Sequence, residues 1–511
     1  MLHALDYVVV AAYLLVVVAV CVRVTRKSPD ADELFLAGRT LGPAAIGLSL
    51  FASNISSTTL IGLPGAAWEH GISVANYEWM AALVLLFTAL CVLPRFIGSR
   101  ITTIPELLER RFDSRHRHYL SACSLFLGVA LDTAGSLYAG ALVLQLFIPG
   151  LSLGWTVAAL AAFAGIYTAA GGLRAVVYTD VLQVVVLLLG SALLATIVFA
   201  QFDFSWSKVV DSVPADHLSM IRPLDDPALP WLGTLIGVPI LGFYYWTMNQ
   251  YVSQRVLGAR DISAAGYGAL IAATLKLLPL FLMVLPGVMA ISLLPDLERP
   301  DMVFPTLIAT YVPVGLAGLI IAGLIAAIMS SVDSALNSAS TLLIVDFIQP
   351  RRPNLSAQQL AKLGRYTTLG LMVLAALWAP QIDRFPGIFA YLQQAFAYVT
   401  PPLVAVFALG MLWPGLGAGA ALRALICGHL LSAGWFVASQ LGWLGVHFTI
   451  VAGLLFFATL VFAALWQLIC REPAAQDAAL RFAGMPQTPA GVRYGAYALT
   501  VAVVLMVWCF W

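Results

Sequence analysis

The sequence predicts an all-α polytopic membrane protein of about fourteen transmembrane helices. Three observations carry this. Of the 511 residues, 61% are apolar. Only 10% are charged, where a soluble domain carries about a quarter. The apolar residues also fall into segments of about 20, the length that crosses the hydrocarbon core. A water-soluble chain could not hide that much apolar surface. The formal net charge of +1, with no basic run, excludes a nucleic-acid partner. The six cysteines (Cys21, Cys91, Cys123, Cys427, Cys470 and Cys509) show no paired spacing, which argues against a disulfide framework or a metal cluster.

In order, the spans are read at 5–23, 42–67, 73–94, 119–149, 154–170, 177–201, 230–252, 263–294, 315–346, 366–382, 386–413, 417–440, 444–470 and 493–511. The first lacks the basic start and small-residue cleavage site of a signal peptide, so it is expected to be a span. With the N-terminus outside, 21 of the 26 Lys and Arg fall in inner loops, four in outer loops, and Lys276 inside a span. Positive charge favours the inside, and one helix more or fewer would invert every later loop. Both termini are therefore expected outside, in a multi-pass protein of the plasma (inner) membrane. Residues 103–117 read as a short amphipathic inner helix, Pro105 at its start. The loop 203–229, with Trp206, Asp211, Asp216, Asp225 and Asp226, is placed to cap an outer entrance.

Two spans do not read as continuous helices. The second carries Ser53, Asn54, Ser56, Ser57, Thr58 and Thr59 at mid-membrane depth. The seventh holds Gly237, Pro239 and Gly242, then Tyr244, Tyr245 and Trp246. Non-helical backbone at that depth must line protein or a cavity. Two broken spans in corresponding places point to a transporter built from inverted repeats. Ordinary packing of small residues is the plainer reading of either segment alone. The spacing of five spans gives a five-plus-five core. Residues 31–202 form the first repeat and 230–413 the second; 1–30 hold an extra N-terminal helix and first loop, and 414–511 peripheral helices.

Charges inside a membrane are costly and mark function by default. Glu78, Asp132, Asp180, Lys276 and Asp333 stand out, each with a structural ion pair as its plainer reading. Glu78 and Lys276 are deep and opposite in sign, able to pair directly or through a polar ligand. Helical spacing puts Ser330, Asp333 and Ser334 on one face. Hydroxyls and a carboxylate are hard oxygen ligands, suited to a small alkali cation.

In Phe35-Leu36-Ala37-Gly38-Arg39, Ala52-Ser53-Asn54-Ile55, Tyr77-Glu78-Trp79-Met80 and Gly171-Gly172-Leu173-Arg174-Ala175-Val176-Val177-Tyr178-Thr179-Asp180 the chain resembles the sodium:solute symporter family, sodium/glucose cotransporter branch. The likeness continues through Tyr244-Tyr245-Trp246 with Asn249-Gln250-Tyr251, Lys276-Leu277-Leu278-Pro279, Ala327-Ile328-Met329-Ser330-Ser331 with Leu336-Asn337-Ser338, and Tyr391-Leu392-Gln393. It covers roughly the first twelve spans. It implies a LeuT-like five-plus-five fold and a sodium-coupled symporter that imports a sugar or sugar-like neutral solute, with Na+ as the coupling ion. It further implies a sodium site at the carbonyls of Ala52, Ile55 and Ala327 and the hydroxyls of Ser330 and Ser331. The sugar site implied is Asn54, Thr59, Glu78, Lys276 and Gln393, with Tyr245 stacking on the sugar and Phe389 at an outer gate. Thr59 stands where the branch carries a longer polar side chain, and Gly242 where a bacterial relative has a polar contact. Asp132 has no assigned role. Two-sodium relatives imply a second site at Asp180, Ser330, Asp333 and Ser334. Two carboxylates near one spot repel unless a cation or proton lies between them, which favours an occupied second site. Asp333 could instead make a helix contact or meet an inner-loop Arg.

The alternatives are proton coupling, a non-sugar solute, or a transporter-like sensor. An enzyme is not expected, since the seven histidines and the remaining groups assemble no nucleophile–base set and no metal cluster. Nor is there a filter-like signature of a channel.

Overall fold

A computed structural model describes residues 3–25, 31–148, 150–384, 388–473 and 486–510, and of residues 146, 383–384 and 388–391 the backbone only. Phe389, expected at a gate, thus has its side chain outside the described residues. The labelled helices are α1 (Ala4–Val24), α2 (Pro43–Asn54), α3 (Ser57–His70), α4 (Ile72–Ser99), α5 (Ser114–Gln145), α6 (Leu153–Ala200), α7 (Trp231–Phe243) and α8 (Gln250–Leu257). They continue with α9 (Ile262–Leu293), α10 (Leu316–Arg351), α11 (Ala357–Ile382), α12 (Leu392–Leu412), α13 (Ala418–Gln440), α14 (Phe448–Cys470) and α15 (Ala490–Cys509).

Among the described residues, eleven helices are long and apolar enough to cross a membrane, or twelve if α2 and α3, bent by 59°, form one span. The difference from fourteen has two local causes. The spans expected at 154–170 and 177–201 run together in α6, whose 48 residues leave helical geometry only at Gly172, with φ 60° and ψ −161°. A Cβ at Gly172 would press on the Leu34 carbonyl, so glycine is required by both dihedral and space. The span expected at 230–252 is cut into α7 and α8 by a π-helical turn, Tyr244–Met248, and by the extended residue Asn249.

The axis of the molecule is α10, in which every residue from Ile320 to Leu342 is buried. Against it lie α6 and α1. Asp6 of α1 caps the start of α10, accepting from the backbone N–H groups of Gly315 at 3.0 Å and Gly318 at 2.7 Å. The bent pair packs on α9 through α2 and on α12 through α3. Outward faces remain apolar, as at Leu15 and Leu430, each about 70% exposed, which suits lipid.

The amphipathic stretch at 103–117 divides into a short helix, Ile104–Arg111, and the start of α5, capped by Asp113. Arg111 caps the far end of α12, donating to the carbonyls of Gly410 at 2.9 Å and Trp413 at 2.8 Å. The loop 203–229 is fastened down. Asn76 donates to the Met220 carbonyl, and Met220 N–H to the Phe510 carbonyl, each at 2.8 Å. Arg222 bonds Asp226 at 2.7 Å.

Candidate functional site

The bend between α2 and α3 is written in its side chains. Ser56 leaves the helix (ψ 172°) and caps α3, its hydroxyl accepting from Thr59 N–H. The Asn54 carbonyl takes Ser56 N–H at 2.9 Å and the Thr59 hydroxyl at 3.2 Å. The turn thereby exposes the carbonyls of Ala52 and Ser53 to α10. Ser330 donates to Ala52 O at 2.9 Å and Ser331 to Ser53 O at 3.2 Å. Both hydroxyls also reach Ala327 O, at 3.1 and 3.0 Å. Ile55 lies buried at the turn, its N–H on Phe51 O at 3.1 Å. Ala52, Ala327, Ser330 and Ser331 are thus brought together, and the carbonyl of Ser53 joins them. A cage of oxygens alone suits a small hard cation.

The second cluster differs from expectation. Arg255, counted from sequence as a loop charge, is fully buried on α8. Its guanidinium bonds Ser49 at 2.6 Å and Asp180 at 3.1 Å, and also meets Ser53, Ser334 and the Tyr251 carbonyl. Ser49 adds a 2.5 Å bond to the same Asp180 oxygen. Asp333 accepts from Tyr167 and, at 3.0 Å, from Ser334. The positive charge beside Asp180 is therefore a side chain of this protein. The physical reason is the break at Asn249: its side chain caps α8, and the whole short helix is buried.

On the other side of the bend lies a cavity with about 130 Å³ of room for water. Asn54, Thr59, Glu78, Tyr245 and Gln393 line it, with Asp132, Gly242 and Ser331. Lys276 stands behind this lining. It is fully buried, ion-paired to Glu78, and its ammonium lies 5.0 Å from the Trp246 ring centre and 5.8 Å from that of Phe51. Asn54 Oδ1 is buried without a hydrogen-bond partner. Gln393 meets the hydroxyl of Tyr77. Tyr245 meets Asn54 and packs edge-on against Trp246 and Phe396. Thr59 spends its hydroxyl on the Asn54 carbonyl. The cavity thus offers directed polar groups and an aromatic wall, the mixture a polyol needs.

Sequence reasoning missed Arg255, Ser49, Tyr167 and the Ser53 carbonyl. Arg255 had one available signal: it follows the Asn249-Gln250-Tyr251 motif by a single helical turn.

Residues 34–428 match the family model described as the sodium:solute symporter family. The sodium/glucose cotransporter of Vibrio parahaemolyticus is 35% identical over 444 residues, 81% of this chain and 81% of that protein. The sodium/myo-inositol cotransporter 2 of Oryctolagus cuniculus is 35% identical over 464 residues, 83% of this chain and 69% of that protein. Among solved structures, a Na+-coupled sialic acid symporter in a substrate-bound outward-open state superposes with a TM-score of 0.81 at 24% identity, covering 93% of this chain and 100% of that one. Mhp1, a nucleobase-cation-symport-1 family transporter, gives 0.57 at 16% identity, covering 92% and 99%. Both likenesses establish the fold.

Proposed function

The chain belongs to the sodium:solute symporter family, and on that premise we propose that it imports a sugar or sugar-like neutral solute by alternating access. It is a multi-pass membrane transporter rather than an enzyme, and sodium is its coupling ion. One observation carries the reading: three consecutive residues of the bent helix serve two sites. Ala52 and Ser53 turn carbonyls to the oxygen cage, while Asn54 lines the cavity. Ser331 belongs to both. Sodium bound at Ala52, Ile55, Ala327, Ser330 and Ser331 would hold the bend in the shape that presents Asn54 to solute. Binding one ligand then favours the other, provided sodium binds the two access states unequally.

In the cavity, Glu78 hydrogen-bonds the solute together with Asn54 and Gln393, and Lys276, expected as a direct ligand, acts from behind the lining by holding Glu78. Tyr245 stacks on the solute and closes the path away from the outer face, and Phe389 gates that outer face. Neutral polyols are the substrates named for the relatives with most of their length in common.

A single sodium per cycle fits these residues better than two. One Asp180 oxygen and the Ser334 hydroxyl, both expected to hold a second ion, already bind the Arg255 guanidinium, whose positive charge opposes a further cation there. One sodium crossing about 100 mV supplies about 2.3 kcal/mol, and a roughly tenfold gradient about 1.4. Together they sustain a solute gradient of roughly 500-fold.

Fourteen crossings follow if α6 crosses twice and α7 with α8 crosses once. A helix of 48 residues would span about 72 Å, against roughly 30 Å of hydrocarbon. Both termini then lie outside the plasma membrane, and 31–202 and 230–413 are the two repeats.

The test is uptake into proteoliposomes from a panel of labelled hexoses and inositols, with and without a sodium gradient. The expected result is accumulation of at least one member that collapses without sodium. Failure of every member to be taken up or to compete would overturn the sugar assignment.

A further inference from the structure

We infer that Asp132 selects solutes by charge: its carboxylate takes up hydroxyls or an ammonium of the solute and turns away sugar acids. The inference rests on the sugar reading and adds a specificity residue to it.

Asp132 lies in α5 where the helix widens into a π-helical stretch, Leu127–Thr133. Such stretches are favoured at functional sites because they re-aim a side chain within a span. Here the residue lines the same cavity as Glu78, Asn54 and Gln393. Its Oδ2 is buried and has no hydrogen-bond partner. Its carboxylate has a side-chain hydrogen bond from Asn249, a neutral amide.

The other carboxylates singled out in the membrane core have a charged partner or two hydroxyl donors, although Asp180 Oδ1 stays open. Glu78 has Lys276, Asp180 has Arg255, and Asp333 has the hydroxyls of Tyr167 and Ser334. Asp132 has no basic group: among the described residues that line the cavity there is no Lys, Arg or His. Lys276 is turned onto Glu78, between the faces of Phe51 and Trp246. The cavity therefore holds two open acceptors, Asn54 Oδ1 and Asp132 Oδ2, and of these only the Asp132 oxygen belongs to a carboxylate. A buried acceptor left open is costly, and a solute hydroxyl or ammonium relieves it. A solute carboxylate at about 5 Å, at the effective dielectric of a protein site, loses roughly a hundredfold in affinity by repulsion.

The test uses three competitors with one skeleton: a transported neutral hexose, its amino-deoxy derivative and its uronate. Each competes against uptake of the labelled hexose into proteoliposomes under an inward sodium gradient, with wild type and Asp132→Asn. The wild type is expected to bind the amine at least as well as the hexose, and the uronate ~30-fold or more weaker. In Asp132→Asn the gap between hexose and uronate should shrink at least ~tenfold, and the amine should lose its advantage. Equal competition by hexose and uronate in the wild type, or an unchanged gap in the variant, overturns the inference while leaving the sugar reading intact. A wild type that recognises none of the three overturns the sugar reading and the inference with it. The wild-type series stands even if the variant fails to fold.

Discussion

Two buried ion pairs cross the middle of this protein, and they are built differently. Lys276–Glu78 has spare capacity. The ammonium carries three protons, its partner is a single carboxylate, and that carboxylate lines a cavity with open acceptors on Asn54 and Asp132. In Arg255–Asp180 the cation is fully engaged, although Asp180 Oδ1 has no partner. Ser49, Ser53, Ser334 and a backbone carbonyl close around the guanidinium, which ties α8 to α2, α6 and α10. The lesson is that a charge in a membrane core does not by itself locate a binding site. Unfilled hydrogen-bonding capacity that opens on a cavity does.

Breaking the Arg255–Asp180 pair should have the largest effect on the fold. Removing one member of a buried pair costs about 3–5 kcal/mol, because the other charge is stranded. Arg255→Ala should therefore melt far below the wild type in detergent, and Asp180→Ala alongside it. A wild-type melting curve for either would show that the pair is not a strut. The open pair should behave otherwise: Glu78→Ala, Lys276→Ala and Gln393→Ala should each lose about 1.5–3 kcal/mol of solute binding, roughly ten- to a hundredfold, in competition for uptake. Unaltered solute affinity in all three would remove the cavity from the account.

Ser330→Ala and Ser331→Ala sharpen the division between cation and solute. Each removes one neutral oxygen, worth about 0.5–1.5 kcal/mol. The sodium concentration for half-maximal uptake should rise about three- to tenfold in both, with solute affinity at saturating sodium little altered in Ser330→Ala but lowered in Ser331→Ala, whose residue also lines the cavity. Lowered solute affinity in both with an unchanged sodium requirement would transfer the serines to the solute site.

The smallest effect is expected at a pair outside the membrane. Burial raises the Asp226 carboxyl, but the N–H groups of Leu229 and Ala228 and the Arg222 guanidinium outweigh it and hold it below its ordinary range. A depressed carboxylate stabilises the fold above its unfolded value, about 3.9, and loses that contribution as pH falls through the folded value. The loop 203–229 should thus loosen below about pH 4, read as faster proteolysis there. Asp226→Asn should remove that pH dependence, and a loop equally resistant at low pH would contradict it.

Much of this was legible in the sequence. The polar run Ser53–Thr59 announced the bend, because hydroxyls and an amide at that depth have no reason to interrupt an apolar span otherwise. Glu78 and Lys276 announced the cavity as isolated charges. Arg255 was hidden because a basic residue three positions past an apolar span reads as a loop charge. Only the π-helical turn before Asn249, a tertiary feature, shows that it is buried. Gly171-Gly172 with Arg174 reads as a connection between two helices, and the non-helical, φ-positive Gly172 is the kink at which the two lengths of α6 meet. The Ser53 carbonyl was hidden because backbone atoms carry no sequence signal. Asp132 was visible as a charge, but its missing partner appears only in three dimensions.

The most direct test is the reversal potential of solute flux in proteoliposomes at several sodium and solute gradients. The account, in which Arg255 fills the place of a second ion and one oxygen cage takes sodium, requires one sodium per solute. A reversal potential indifferent to sodium would contradict coupling through the bent helix, and a ratio of two would show that Arg255 does not hold that place.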